Sequence, residues 1–356
     1  MADERTTTAP PADPRLVQAR QLVRDLFTPQ PRIYWSDFLF HAALGWAALA
    51  GLIRLPFGGA LWAGLWVVAV LALYRAVIFI HELAHLRPGA LPGFRIVWNL
   101  LCGIPLLAPS FTYSGVHNHH HKQSVYATAG DGEYLAFGRL PHWVTIGHLA
   151  LSLVLPFLVL ARFVLLTPLG WLSPRLARFN WERASSLTID FRYRRGRAER
   201  DEPHWRWQET SAFVWGAALL AAMAAGRLPW KILWCWYAVL VGIFVLNGLR
   251  TLAAHRYRHD RTTPLGIIEQ FHDSVDVPGR RWLTPLWAPV GLRFHATHHL
   301  FPGMPYHHLA TAHQRLTAGL DDPRWYLAST AAGLWPALAD LWRGNAIRDD
   351  RLIRCR

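Results

Sequence analysis

The sequence predicts an all-helical (all-α) integral membrane protein. Four membrane-spanning helices form two hairpins, short helices lie at the interface, and a histidine-rich cap sits on one membrane face. Three observations predict this. Apolar runs of about 20 residues, almost free of charge, recur along the chain, and that length crosses a bilayer. The chain has 356 residues, of which 52% are hydrophobic. Arginine gathers in short polar segments between the runs, as the positive-inside rule requires. Histidine gathers in three clusters, at 81–85, 117–121 and 295–299.

The elements follow in order. Residues 1–14 are rich in Pro, Thr and Asp and have no signal-peptide core; they read as disordered. Residues 15–34 read as an amphipathic lead-in, so 1–34 form an N-terminal segment ahead of a membrane domain at 35–320. The first apolar run covers 38–55 and the second 61–80, separated by Pro56-Phe57-Gly58-Gly59. Residues 96–112 are apolar but hold Asn99, Gly103, Pro105 and Pro109, which suits a short re-entrant or interfacial segment. Residues 125–142 read as loop. Residues 143–168 are apolar but carry His148, Pro156 and Arg162. Runs at 211–225 and 230–249, joined by Gly226-Arg227-Leu228-Pro229, read as the second hairpin. The apolar stretch 327–341 is too short to span, so 321–356 reads as a cytoplasmic tail with a docked helix.

Parity selects the topology. With the N-terminus inside, the first hairpin returns the chain to the cytoplasm at His81. The Arg-rich 174–206 must also be inside, so 143–168 is expected to lie at the interface or dip into the membrane rather than make a single crossing. The second hairpin then leaves all three histidine clusters on the cytoplasmic side.

Composition limits function. A net charge of +14 could suit nucleic acid, but no nucleic-acid motif accompanies it. It reads as topology, contact with anionic membrane lipid, and a basic face for an acidic partner. The three cysteines, Cys102, Cys235 and Cys355, make neither a disulfide framework nor an iron–sulfur site.

The chemistry lies in the histidines. In Gly115-Val116-His117-Asn118-His119-His120-His121-Lys122, a helix would bring His117, His120 and His121 to one face and turn His119 away. His295-Ala296-Thr297-His298-His299 repeats the H-x-x-H-H spacing, and His81-Glu82-Leu83-Ala84-His85 places two histidines at i, i+4. That last motif also fits H-E-x-x-H, in which a zinc protease uses the glutamate as general base, but this leaves the other clusters idle. Eight imidazoles exceed one tetrahedral zinc and suit two metal ions. A non-catalytic metal-binding or transport protein would use the same residues.

The order H-x-x-x-H, H-x-x-H-H, H-x-x-H-H, together with His298-His299-Leu300-Phe301-Pro302-Gly303-Met304-Pro305-Tyr306-His307-His308-Leu309 and Asn247-Gly248-Leu249-Arg250-Thr251-Leu252-Ala253-Ala254-His255, resembles the membrane fatty acid desaturase family over about 38–320. The resemblance implies two iron ions that activate O2, a fatty acyl substrate and insertion of a double bond. Hydroxylases of lipids, sphingolipids or carotenoids are the alternative. It implies His81, His85, His117, His120, His121, His295, His298 and His299 as iron ligands, with His255 as a ninth and His259 as its rival. Where the family often has an asparagine four residues before that ninth ligand, this chain has Thr251, with Asn247 one turn earlier. Ligating imidazoles need their other N–H held; Glu82, Asp260, Asp273 and Asp276 are candidates for that. The chain shows no cytochrome b5 or dinucleotide motif, so an external electron donor, ferredoxin or cytochrome b5 in type, is expected.

Overall fold

The computed structural model describes residues 13–196 and 205–353, with side chains to residue 344. The expected disorder of 1–14 falls almost wholly outside the described residues. Among the described residues there are helices and isolated bridges but no strand.

Helix α1 (Pro14–Val23) starts at Asp13, whose carboxylate accepts from the Arg15 N–H at 2.9 Å, and has proline at its first position. Its buried face, Ala19 and Val23, packs beside Ala312 and Leu316 near the C-terminal end of the fold. α2 (Pro31–Arg54) and α3 (Ala60–His85) form the first hairpin. Gly58 at φ +86° supplies the left-handed turn between them. The two helices approach closely because Gly45 faces Leu73: a Cβ at Gly45 would sit 3.0 Å from the Leu73 backbone nitrogen and 2.5 Å from its Cγ. Small residues serve this purpose at membrane helix contacts. Gly45→Leu should therefore force the hairpin apart and destabilise the fold by about 1–3 kcal/mol. A lowered thermal midpoint of the detergent-solubilised protein is the expected result; an unchanged midpoint would show that the contact tolerates the added volume.

α4 (Phe94–Trp98) runs into a π-helical turn, Asn99–Gly103. Buried Asn99 closes this turn back on itself. Its amide donates to the Arg95 carbonyl (2.8 Å) and Ser110 Oγ (3.0 Å), and its Oδ1 accepts the Ser110 N–H (2.9 Å). The segment is thus a short helical turn closed by its own hydrogen bonds, delivering α5 (Phe111–His120) to the end of α3. Further along are α6 (His142–Ala150), α7 (Leu155–Leu172, with a π-helical turn at Arg162–Leu166), α8 (Pro174–Arg183), α9 (Trp205–Ala224) and α10 (Lys231–Ala254).

Four helices are long and apolar enough to cross a membrane, but they are not quite the expected four: α2, α3, α7 and α10. The expected run 211–225 lies in α9, which opens with the polar residues Arg206, Gln208 and Glu209 and so falls short on composition. The apolar part of 143–168, expected at the interface or dipping into the membrane, sits in a helix of span length. Its ends explain the difference. Before α7, Gly138 N–H donates to the Tyr257 carbonyl (3.0 Å). After it, Leu187 N–H reaches the Thr112 carbonyl and Ile189 N–H the Gly132 carbonyl, both at 2.8 Å. The chain leaves the histidine-bearing end of the fold and returns to it, so α7 is not a single crossing. Midway, buried Arg162 bonds Glu209 of α9 (2.5 Å) and Thr167 Oγ1 (2.7 Å), a pairing that satisfies both charges in an apolar setting.

α10 ends at His255. Beyond it lie α11 (Ile267–Asp273), α12 (His295–Leu300), α13 (Leu309–Gly319) and α14 (Leu334–Ile353). The expected docked helix at 327–341 begins later, at Leu334, after a separate turn of helix at Arg324–Leu327.

Candidate metal centre

The histidines converge where α3, α5, α10 and α12 end. The structure brings nine of them into two groups. His81, His85, His117, His121 and His298 form one; His120, His255, His295 and His299 form the other. Within each group one nitrogen per ring lies within 4.8 Å of all the others. The nine are the residues that sequence and resemblance singled out, but the expectation that His117, His120 and His121 aim at one point needs correction. Residues four apart stay on one helix face, while a residue one step off is turned by about 100°. Hence the i, i+4 pairs His81/His85, His117/His121 and His295/His299 each serve a single group. The odd member of each H-x-x-H-H box, His120 or His298, reaches across to the other.

The donor set fits metal ions. Nε2 atoms face one another at 2.9 Å (His85 and His117), 3.2 Å (His117 and His121), 3.1 Å (His121 and His298), 2.9 Å (His255 and His295) and 3.2 Å (His295 and His299). Imidazole binds first-row ions at about 2.1 Å, which puts two nitrogens on one ion about 3.0–3.4 Å apart. Both ring nitrogens of buried His81 lack a protein partner among the described residues, a costly state for an uncoordinated ring. Burial, then the neighbouring imidazoles, hold His117, His121, His295, His298 and His299 well below the usual histidine range. They are neutral, as ligation requires.

His120 differs. Burial pulls its pKa down, but the Asp131 carboxylate, 2.9 Å from Nδ1, outweighs that and raises it. Asp131 is fully buried, and also accepts the N–H groups of Ala127 and Glu133, each at 2.9 Å. Despite burial its pKa is lowered. The His117 Nδ1–H donates to Glu133 at 2.8 Å, beside the stacked Tyr113 ring. The carboxyl of Glu133 is pushed up to about 7 by burial. The His255 Nδ1–H donates to the Tyr126 hydroxyl (3.0 Å), which in turn donates to Asp273 (3.0 Å).

Several expected partners stand elsewhere. Asp273 acts through Tyr126, its carboxylate being 3.6 Å from His255. Glu82 is not on a ligand ring, its nearest oxygen being 3.7 Å from His81 Nδ1. It instead accepts from the Tyr34 hydroxyl and the Tyr306 N–H, tying the chain after α12 to α3. That direction also removes it as the general base of a zinc protease. Asp276 holds α12 itself, accepting Thr297 N–H (3.0 Å) and Oγ1–H (2.5 Å). Asp260 is turned to Thr262. His259 belongs to neither group; its Nδ1 accepts the Arg261 N–H (3.1 Å), so His255 takes the position alone. Asn247 accepts from Arg250 (2.9 Å) and, with Thr251, lines a cavity rather than touching a ring. His119 faces away, 3.2 Å from the Tyr193 hydroxyl.

The residues sequence reasoning missed are Asp131 and Glu133, within a stretch read only as loop. The one available signal was an Asp-x-Glu pair shortly after the second box.

A cavity of about 430 Å³ opens on the centre. His81, His117, His120, His255 and His295 line it, together with the apolar side chains of Ile78, Leu155, Val159, Phe163, Ile243 and Phe244.

An all-helical membrane fold ending in two groups of buried imidazoles beside an apolar cavity defines a class of membrane-bound metal enzymes acting on lipid. The sequence profile described as fatty acid desaturase matches residues 60–331, and the chain belongs to the fatty acid desaturase family. It is also similar to a ceramide hydroxylase of Caulobacter vibrioides (strain NA1000 / CB15N), being 39% identical over 331 residues, 92% of each chain.

Proposed function

We propose that this chain is an O2-dependent membrane hydroxylase of ceramide or a closely related sphingolipid. The resemblance read from the sequence favoured double-bond insertion into a fatty acyl chain. Likeness over almost the whole length to a ceramide hydroxylase moves the preference to the hydroxylase alternative. The observation that carries oxidative chemistry is the assembly of nine imidazoles, five of which line an apolar cavity. Two nitrogen-rich sites that lack thiolates suit iron, and two iron ions held there would supply dioxygen activation.

This chain's residues would do the rest. Ile78, Val159, Phe163 and Ile243 would desolvate the chain and exclude water from the C–H bond. The carboxylates of Asp131 and Glu133, and Asp273 through Tyr126, would fix ring orientation and tautomer. Hydroxylation consumes one O2, two electrons and two protons and releases water, so the electrons come from a separate donor of ferredoxin or cytochrome b5 type. The cap would face the cytoplasm, where such donors are found.

The test is the iron-loaded protein in lipid nanodiscs, with a chemical or ferredoxin electron source, ceramide and isotopically labelled O2. The expected product is ceramide gaining one labelled oxygen. Loss of two hydrogens with no label would return the assignment to desaturation.

A further inference from the structure

Arg250 is the feature of the cavity that an apolar chain does not explain. It lies near the C-terminal end of α10, four residues before Ala254, and is buried, with 9% of its surface exposed. It lines the cavity together with His81, His295 and Asn247. One Nη donates to Asn247 Oδ1 at 2.9 Å. Its Nε is buried with no hydrogen-bond partner. The Tyr74 hydroxyl and the Glu133 carboxyl lie close enough to feel its charge, but neither takes the Nε hydrogen. A guanidinium in such a place is costly. Its free donor points to an acceptor oxygen that arrives with the ligand.

Resting on the hydroxylase reading, we propose that Arg250, backed by Asn247, anchors an oxygen of the substrate's polar head, an amide carbonyl or hydroxyl of the sphingolipid, inside the cavity. This sets the position of oxidation. The histidines His81 and His295 line the same cavity, and the proposal places the oxidised carbon within a few bonds of the anchored oxygen. The apolar walls take the chain beyond it. The enzyme therefore measures from the polar head, and the far end of the chain does not set the position. The anchor is Arg rather than Lys because the fork donates to Asn247 and to the ligand together.

The iron-loaded protein is supplied with ceramides of short, medium and long acyl chain, and the hydroxyl is located by mass-spectrometric fragmentation. The expected result is a hydroxyl at a constant number of bonds from the amide for every chain length. A position that moves with chain length, keeping its distance from the methyl end, overturns the proposal while leaving the hydroxylase reading intact. If no ceramide gains oxygen, the hydroxylase reading itself fails. Arg250→Gln gives a second reading. We expect KM to rise about tenfold or more, as for loss of a hydrogen bond to a charged group, with scattered product positions, unchanged iron content and partial rescue by Arg250→Lys. An unchanged KM and a single product position in Arg250→Gln, with iron retained, would also overturn it. Free fatty acids as competitors separate the sources of the oxygen: inhibition lost in Arg250→Gln supports the anchor but assigns it to a carboxylate, and inhibition equal in both proteins counts against it.

Discussion

Replacing His120 with alanine is expected to remove one of two bound iron ions and to leave the other. His120 stands in a box whose other members, His117 and His121, serve the opposite group. The substitution leaves five imidazoles in one group and three in the other. Loss of a partner that merely orients a ligand weakens metal affinity about 10- to 100-fold, and loss of the ligand itself should cost more. Turnover should fall to the background of the metal-free protein, because activation of dioxygen across a pair needs both ions. Metal analysis of the purified protein should give two irons per chain for the wild type and one for His120→Ala. His142→Ala is the control: its ring stacks on Trp342 and belongs to neither group. Two irons retained in His120→Ala would sink the ligand assignment. One zinc per chain, indifferent to His120 and lost on His85→Ala, would point back to the H-E-x-x-H reading.

Why the boxes divide as they do was only half legible in the sequence. The i, i+4 spacing identifies pairs on a helix face, and His81/His85, His117/His121 and His295/His299 behave as that geometry dictates. What spacing does not say is where the next residue round the helix points, since that depends on which helix stands opposite. The crossing of His120 and His298 shows only in the ring contacts of the fold, where His298 lies beside His85 and His121, and His120 beside His255 and His299. Asp131 was hidden for a related reason. Its role comes from a compact loop that folds its carboxylate back onto His120, and loops carry no periodicity to read. The membrane runs show the opposite weakness. Length and hydropathy mark α7 as a span, but only the hydrogen bonds of Leu187 and Ile189 to the far side of the cap show that the chain returns. In the sequence Arg162 is only a charge inside an apolar run. In the fold it is satisfied by Glu209, a residue 47 positions away.

Asp131→Asn should have the next largest effect, and its direction can be worked out. The carboxylate accepts three hydrogen bonds, from His120 Nδ1–H, Ala127 N–H and Glu133 N–H. An asparagine of the same shape has one acceptor oxygen and a donor amide. Whichever way it turns, at least one buried N–H meets another donor, at a cost of about 1–3 kcal/mol. The His120 ring also loses the charge that fixes its tautomer with Nε2 free for metal. Affinity of the His120, His255, His295 and His299 group should therefore fall about 10- to 100-fold, read by chelator competition, while the other group is little changed. The pH dependence separates this from general damage. Asp131 has a lowered pKa in the fold, so its contribution is present above the unfolded carboxyl value and is lost as pH falls through the folded one. His120 has a raised pKa, so in the metal-free protein its charged pairing is complete below the ordinary histidine value and fades as pH rises through the raised one. The stability gap between wild type and Asp131→Asn, both metal-free, should thus be widest in the mildly acidic range and narrow on either side. A gap independent of pH would mean that shape rather than charge holds the loop.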